Sequence, residues 1–273
     1  MKKKLIASLL VGAVLSTSII GFTACGGDIS MNKGKKVSEA EWKAAFAATI
    51  SAESCTVNTY MEDINEITDI DDEAGEVHMT VTSKDKVKYC CDVKNGILYT
   101  ESYLTKSRVG VPDGEETTGY EESFNEAYRV NEGTVGYSAS YERGYWYVCE
   151  YSDGVYIWNP TSVLDNSYSV EKGGGKIALS ELYGAFTYSD GVYTAKLYSD
   201  SYYLKPDYII SVAVKGGYVV GYHIESSYEE QGEGSYTHVE SINQVYNFSD
   251  FNKTTVKLSK DAKKAIEDFK NKE

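Results

Sequence analysis

The chain has 273 residues, with 41 acidic side chains against 27 basic ones and a net charge of −14. A field of that sign repels phosphate backbones and excludes a nucleic-acid binder that works by charge. The length allows one large domain or two small ones, and 25 tyrosines against 7 Phe and 3 Trp favour half-wet sheet faces or a binding surface.

The N-terminus carries a signal of its own. Lys2, Lys3 and Lys4 precede an apolar stretch, Leu5 to Ile20, and Phe22-Thr23-Ala24 then lead into Cys25-Gly26-Gly27. This is the order of a secretory signal peptide. The apolar run is short of the roughly 20 residues that span a bilayer. The stretch resembles the lipobox of bacterial lipoproteins, with Phe22 where that family usually has leucine. The resemblance implies cleavage before Cys25, a diacylglycerol group on its sulfur, and attachment to the extracytoplasmic side of the cell membrane. A single acyl chain holds only marginally, so a stable anchor takes more than one. Residues 1–24 contain three lysines and no acid, so the mature balance is 24 basic against 41 acidic, or −17. The expected organisation is a signal peptide over 1–24, the lipidated Cys25 and a Gly-rich tether over 25–37, and one α+β domain over 38–273.

Ser38-Glu39-Ala40-Glu41 reads as a capping box. Trp42, Ala45, Phe46, Thr49 and Ile50 follow at helical spacing, which predicts a helix over about 38–52 with an apolar stripe. Cys55, Val57 and Thr59 alternate as a strand. Asp63 to Gly75 is read as an acidic loop. Val77, Met79 and Val81 alternate again, and Val87, Tyr89, Cys91 and Val93 lead to Asn95-Gly96. That dipeptide predicts a two-residue hairpin pairing Val93 with Leu98 and Val87 with Leu104. Thr118 to Glu121 reads as a second capping box, opening a short helix with Tyr120, Phe124, Ala127 and Tyr128 on one side.

Val135 to Tyr141 alternates as a strand. Tyr145–Tyr151 and Val155–Trp158 are expected to form a hairpin around Ser152-Asp153-Gly154, and the same six residue types, Tyr-Ser-Asp-Gly-Val-Tyr, recur at 188–193. In that pairing one face carries Trp146, Val148, Tyr156 and Trp158, and the other carries Tyr147, Cys149, Tyr151, Val155 and Ile157. Leu179, Leu182, Tyr183 and Phe186 suggest a third short helix. Tyr208–Lys215 and Tyr218–Tyr228 flank Gly216-Gly217 as a further hairpin. Val212, Val214 and Val219 are placed on one face, and Ile209, Ala213, Val220 and Ile224 on the other. Tyr236 to Phe248 is a long strand, and Ser259 caps a last helix with Ala262, Ala265, Ile266 and Phe269. Sheets with two apolar faces must be covered twice or line a groove.

Chemistry-bearing motifs are sparse. Cys55, Cys90, Cys91 and Cys149 permit two disulfides in three connectivities or free thiols, and Cys90 and Cys91, being adjacent, point to opposite faces of a strand. His78, His223 and His238 show no metal spacing, and no cofactor-binding motif or nucleophile elbow is found. The acids Asp63, Glu66, Asp69, Asp71, Asp72 and Glu73 lack the turn glycine of an EF-hand and read as solvated. No catalytic residue is assigned.

The layout of a tether, a capped helix, a large curved antiparallel sheet and short crossing helices resembles the half-barrel lipid-carrier lipoproteins, including the periplasmic lipoprotein chaperones. It also resembles the small Tyr-rich lipoproteins of gut anaerobes. The expected function is a non-enzymatic binding or carrier protein for an apolar or amphipathic small molecule, with Trp146, Tyr156 and Trp158 as ligand-binding residues. The alternative is a surface glycan- or peptide-binding module.

Overall fold

Strand alternation governs most of the chain, and the computed structural model describes residues 30–71, 75–110, 117–198, 207–231 and 236–271. The signal peptide, the lipobox and Cys25 lie outside the described residues. One compact unit covers Met31–Glu273.

Among the described residues two α-helices flank the strands: α1 (Glu39–Ile50) and α2 (Lys260–Lys270). The first six strands form a meander: β1 (Ser54–Asp71), β2 (Gly75–Asp92), β3 (Ile97–Gly110), β4 (Thr117–Glu132), β5 (Val135–Glu142) and β6 (Tyr145–Tyr151). The chain then crosses the sheet through short 3-10 turns and a small pair, β7 (Ser167–Tyr168) and β8 (Ile177–Ala178). It returns as β9 (Thr187–Ser189), β10 (Val192–Tyr198), β11 (Asp207–Lys215), β12 (Tyr218–Gln231) and β13 (Thr237–Ser249). Eleven strands make one open, curved antiparallel sheet in the order β6-β5-β4-β3-β2-β1-β13-β12-β11-β10-β9. The expected α+β class with a large curved sheet on an N-terminal helix is what forms.

The capping box at Ser38 is present: the Glu41 amide donates to Ser38 Oγ, and the Ser38 amide donates to the Glu41 carboxylate. Helix α1 buries Trp42, Ala45, Phe46 and Thr49. The Trp42 ring meets Phe46, Phe186 and Tyr193 at centroid distances of 4.9, 5.0 and 5.2 Å. Below them lie Val57, Cys91, Leu98, Val212, Val214, Val219, Tyr222 and Phe248, the α1 face of the sheet. Burying each large apolar group there is worth about 1.5–3 kcal/mol. Thr49 fastens the helix, since its hydroxyl donates to Ala45 O and accepts from the Val219 amide at 2.9 Å.

The other face is covered in two places. Helix α2, capped by Ser259, sets Ala262 and Ile266 against Tyr128, Val130, Tyr137 and Ala139. Residues 32–35 cover the second place and Val37 then reaches the α1 core, where Tyr183 and Tyr193 donate to its carbonyl, so the expected tether over 25–37 is corrected from Asn32 onward. The Asn32 amide donates to Asn247 Oδ1, Gly34 N to Gly191 O, and Lys35 N to Val214 O. A Cβ at Gly34 would stand 2.3 Å from Val214 O. Here glycine permits close approach rather than flexibility.

Four further expectations are corrected. The acidic loop is strand: β1 continues to Asp71, and 72–74 lie outside the described residues. Glu62, just before that stretch on β1, pairs across the sheet with Lys84 at 2.9 Å. The helix expected at Tyr120–Tyr128 is strand β4. The β2–β3 loop has four residues, so Val87 faces Ser102 rather than Leu104. The slip is by two, which leaves every side chain on its predicted face. A bulge between Ala213 and Val214 moves Ile224 opposite Ile210, onto the α1 face, away from Ile209.

The long strands outrun both covers. Beyond Tyr60 in β1, Leu98 in β3 and His223 in β12, and before Val87 in β2, Tyr128 in β4 and Val245 in β13, no described side chain of these strands is buried.

Candidate functional site

The β5–β6 hairpin builds the candidate site. Arg143 and Gly144 both take positive φ, 51° and 90°, making the two-residue turn whose twist matches the strands. The flanking pair Glu142 and Tyr145 then exchanges both backbone hydrogen bonds. By the same alternation Tyr147, Cys149 and Tyr151 bond to β5. The backbone groups of Trp146, Val148 and Glu150 point outward, because β6 is an edge strand.

Side chains of this edge are aromatic on both faces. On the α1 face Tyr145, Tyr147 and Tyr151 are 70, 54 and 44% exposed. Their partners across β5 include the small Ser140 and Gly136, so no bulk shields the rings. On the α2 face Trp146 is half-buried and sits 5.4 Å from the Tyr141 ring. Between this strand face and helix α2 runs an open groove of about 520 Å³. Trp146 and Val148 line it from the strand, and Ala265 and Phe269 from the helix. Asp261, Lys264 and Asp268 supply its charge. Lys270 fixes the helix end over β4 and β5, with its ammonium 2.6 Å from Glu132 and 4.4 Å from the Tyr137 ring centre.

Trp146, Tyr156 and Trp158 do not share a face, and that expectation is corrected. Residues 152–159 form no strand; the chain leaves the sheet and crosses its α1 face. Asn131 draws it across, accepting from the Val155 amide at 2.8 Å and donating to Val155 O at 3.1 Å. Trp158 lands on Tyr89 within the main core, centroids 5.1 Å apart, and donates to Ser162 Oγ. Tyr156 is left exposed. Sequence reading missed the tyrosines of β6 and the helix residues Ala265 and Phe269 as one site. The alternation Tyr-Trp-Tyr-Val-Cys-Glu-Tyr was visible in the sequence, but nothing local marks a strand as an edge.

The remaining candidates do not assemble a reaction centre. His223 and His238 stand on adjacent strands but on opposite faces, near Asn243 and Asn65 respectively. Cys55 lies opposite Cys91, and burial pushes the two thiols up to about 12 and about 11, away from reactive thiolate. None of the four described cysteines is in a disulfide. Asp85 Oδ1 is buried without a hydrogen-bond partner, and desolvation raises that carboxyl above its usual range. Among the described residues no three His, Cys, Asp or Glu side chains gather as a metal would need, and no helix is long and apolar enough to cross a membrane.

No protein-family model and no curated protein matches the chain. Among solved structures it is similar to Ail, the attachment invasion locus protein of Yersinia pestis, at 6% identity and a TM-score of 0.16. That alignment covers 72% of this chain and 99% of the other. At that score the likeness bears on neither fold nor function.

Proposed function

We propose that the chain is a lipoprotein held by lipid on Cys25 at the extracytoplasmic side of the cell membrane. Its body is a non-enzymatic binding module that takes an extended polypeptide along β6. The leader residues Lys2–Lys4, Leu5–Ile20 and Thr23-Ala24-Cys25 support the anchor. The observation that carries the binding reading is the open, aromatic edge of β6 beside the α2 groove. Outward backbone groups offer a strand's worth of hydrogen bonds, and alternate side chains of a guest would meet either the tyrosine shelf or the Trp146 groove. The carrier reading has less support, since Trp42, Phe46 and their neighbours fill the covered α1 face. A glycan would use the tyrosines but leave the backbone edge idle.

The anchor is tested by Cys25→Ser, which is expected to leave the protein unprocessed or release it to the medium. Partition of that variant into detergent at mature size would overturn the anchor. The binding reading is tested on the mature lipoprotein with a displayed library of random peptides seven residues long, the length of β6. Recovered peptides are expected to shift Trp146 emission. Val148→Pro removes one outward N–H at a position where an edge strand tolerates proline, and is expected to abolish binding. Peptides that bind Val148→Pro equally well, or a selection that recovers none, would overturn the peptide reading.

A further inference from the structure

In so acidic a chain, one cleft is basic. It opens between Asn32-Lys33, the β11–β12 turn and the turn after β13, with a volume of about 560 Å³. Lys33, Lys215 and Lys253 line it, all exposed, with Asp250 as its acid. Among the described residues no ion pair is formed by these three lysines. Asp190 stands in the adjoining turn. Between the lysines Tyr218 and Phe251 stack face to face, centroids 4.2 Å apart and planes 5° from parallel. The turns that carry them are fixed. Asn252 donates its amide to Ser54 O and accepts from the Glu53 amide, while Gly216 and Gly217 take positive φ at the hairpin tip.

The chain enters the folded body at this same cleft. Asn32 is bonded to Asn247 and Val220, and six residues separate it from Cys25. Even fully extended, that link reaches about 25 Å. Strand β1 alone, with 18 residues, is about 60 Å long. On the reading that Cys25 carries lipid, the link is shorter than the body, so the body presents the cleft end to the bilayer. An acidic body repels anionic headgroups, whereas three exposed lysines around an aromatic pair attract them. We infer that the Lys33–Lys215–Lys253 cleft docks on the anionic headgroups of the membrane that holds Cys25. The docking fixes the orientation of the body and turns the β6 edge to a defined side.

The test uses the mature lipoprotein in phosphatidylcholine vesicles with and without about a third phosphatidylglycerol, read by amide exchange. Exchange over 215–219 and 250–254 is expected to slow about tenfold in the anionic vesicles only, and to recover in about 1 M salt. Lys33→Glu with Lys215→Glu and Lys253→Glu is expected to remove that protection while core amides such as Val57 and Val212 stay unchanged. Mass spectrometry of the same sample reports the lipid on Cys25. Lipid on Cys25 with equal exchange in both vesicles overturns the docking and leaves the anchor standing. A Cys25 without lipid overturns both.

Discussion

The hexapeptide Tyr-Ser-Asp-Gly-Val-Tyr occurs twice, at 151–156 and 188–193, and each copy stands at one edge of the sheet. The second copy closes a hairpin. Tyr188 pairs with Tyr193 and Ser189 with Val192, around Asp190 and Gly191 at φ 51° and 88°. In the first copy Gly154 has φ 82° and bonds back to Tyr151 O, but Val155 goes to Asn131 and no strand returns. Turn residues license a reversal in both copies, and a partner remote in sequence decides whether it becomes a hairpin. The two edges differ accordingly. The β9 edge is three residues long, and the strand behind it is closed by paired bonds between Ser169 and Tyr198 at 3.0 and 2.9 Å. The β6 edge is seven residues long and open. Proteins ordinarily blunt such edges, so an unprotected one is a place to look for a partner.

The largest effect that would break this contrast is at Gly136. A Cβ there would lie 2.0 Å from the Val155 amide nitrogen and 2.6 Å from Gly154 C, both backbone. Gly136→Ala is expected to cost about 3 kcal/mol in denaturant unfolding, the upper range for overpacking. A loss below about 1 kcal/mol would mean that the crossing segment is not held against β5. Asn131→Ala comes next, at about 2 kcal/mol for two lost bonds to backbone groups. It is expected to speed amide exchange at Val155 and leave Tyr193 unchanged; equal acceleration in both copies would dissolve the contrast. The smallest effect is expected from Val148→Pro on the unliganded fold, under about 1 kcal/mol because an edge N–H is free. A loss near 3 kcal/mol, as for an interior position, would mean that the edge is already paired.

Much of the fold could be read locally. Helix α1 was legible because Ser38 and Glu41 announce it and Trp42, Phe46 and Thr49 keep its period. The hairpin at Gly216-Gly217 was legible because two alternating runs flank a glycine pair. Strand β4 was not, for a simple reason. Tyr120, Phe124 and Tyr128 are four apart, and four is close to one helical turn and also an even number, so the spacing fits a helix face and a strand face equally. The acids of β1 were misread because no described side chain of β1 beyond Tyr60 is buried, so that part of the strand shows no alternation of apolar with polar. The candidate site was the least legible part. Trp146 and Trp158 look equivalent on paper, and what separates them is Asn131, more than twenty residues from Val155.

The pairing of β1 with β13 has a consequence for how the molecule is assembled. Thr56 pairs with Ser249, across 193 positions of sequence, whereas β2 to β6 pair only with strands adjacent to them in sequence. Closing so long a loop makes this the late and slow event, since its entropy is lost before its contacts form. Until β13 arrives, the 18-residue β1 shows a second bare rim, far longer than β6 and present only in the folding chain. Pulse-labelled amide exchange during refolding is expected to protect β2 to β5 first and β13 last. Simultaneous protection of β13 would show that the seam forms early. A chain slow at this step is open to joining another copy through the same rim, so its yield on refolding is expected to fall with concentration even where the finished protein stays monodisperse.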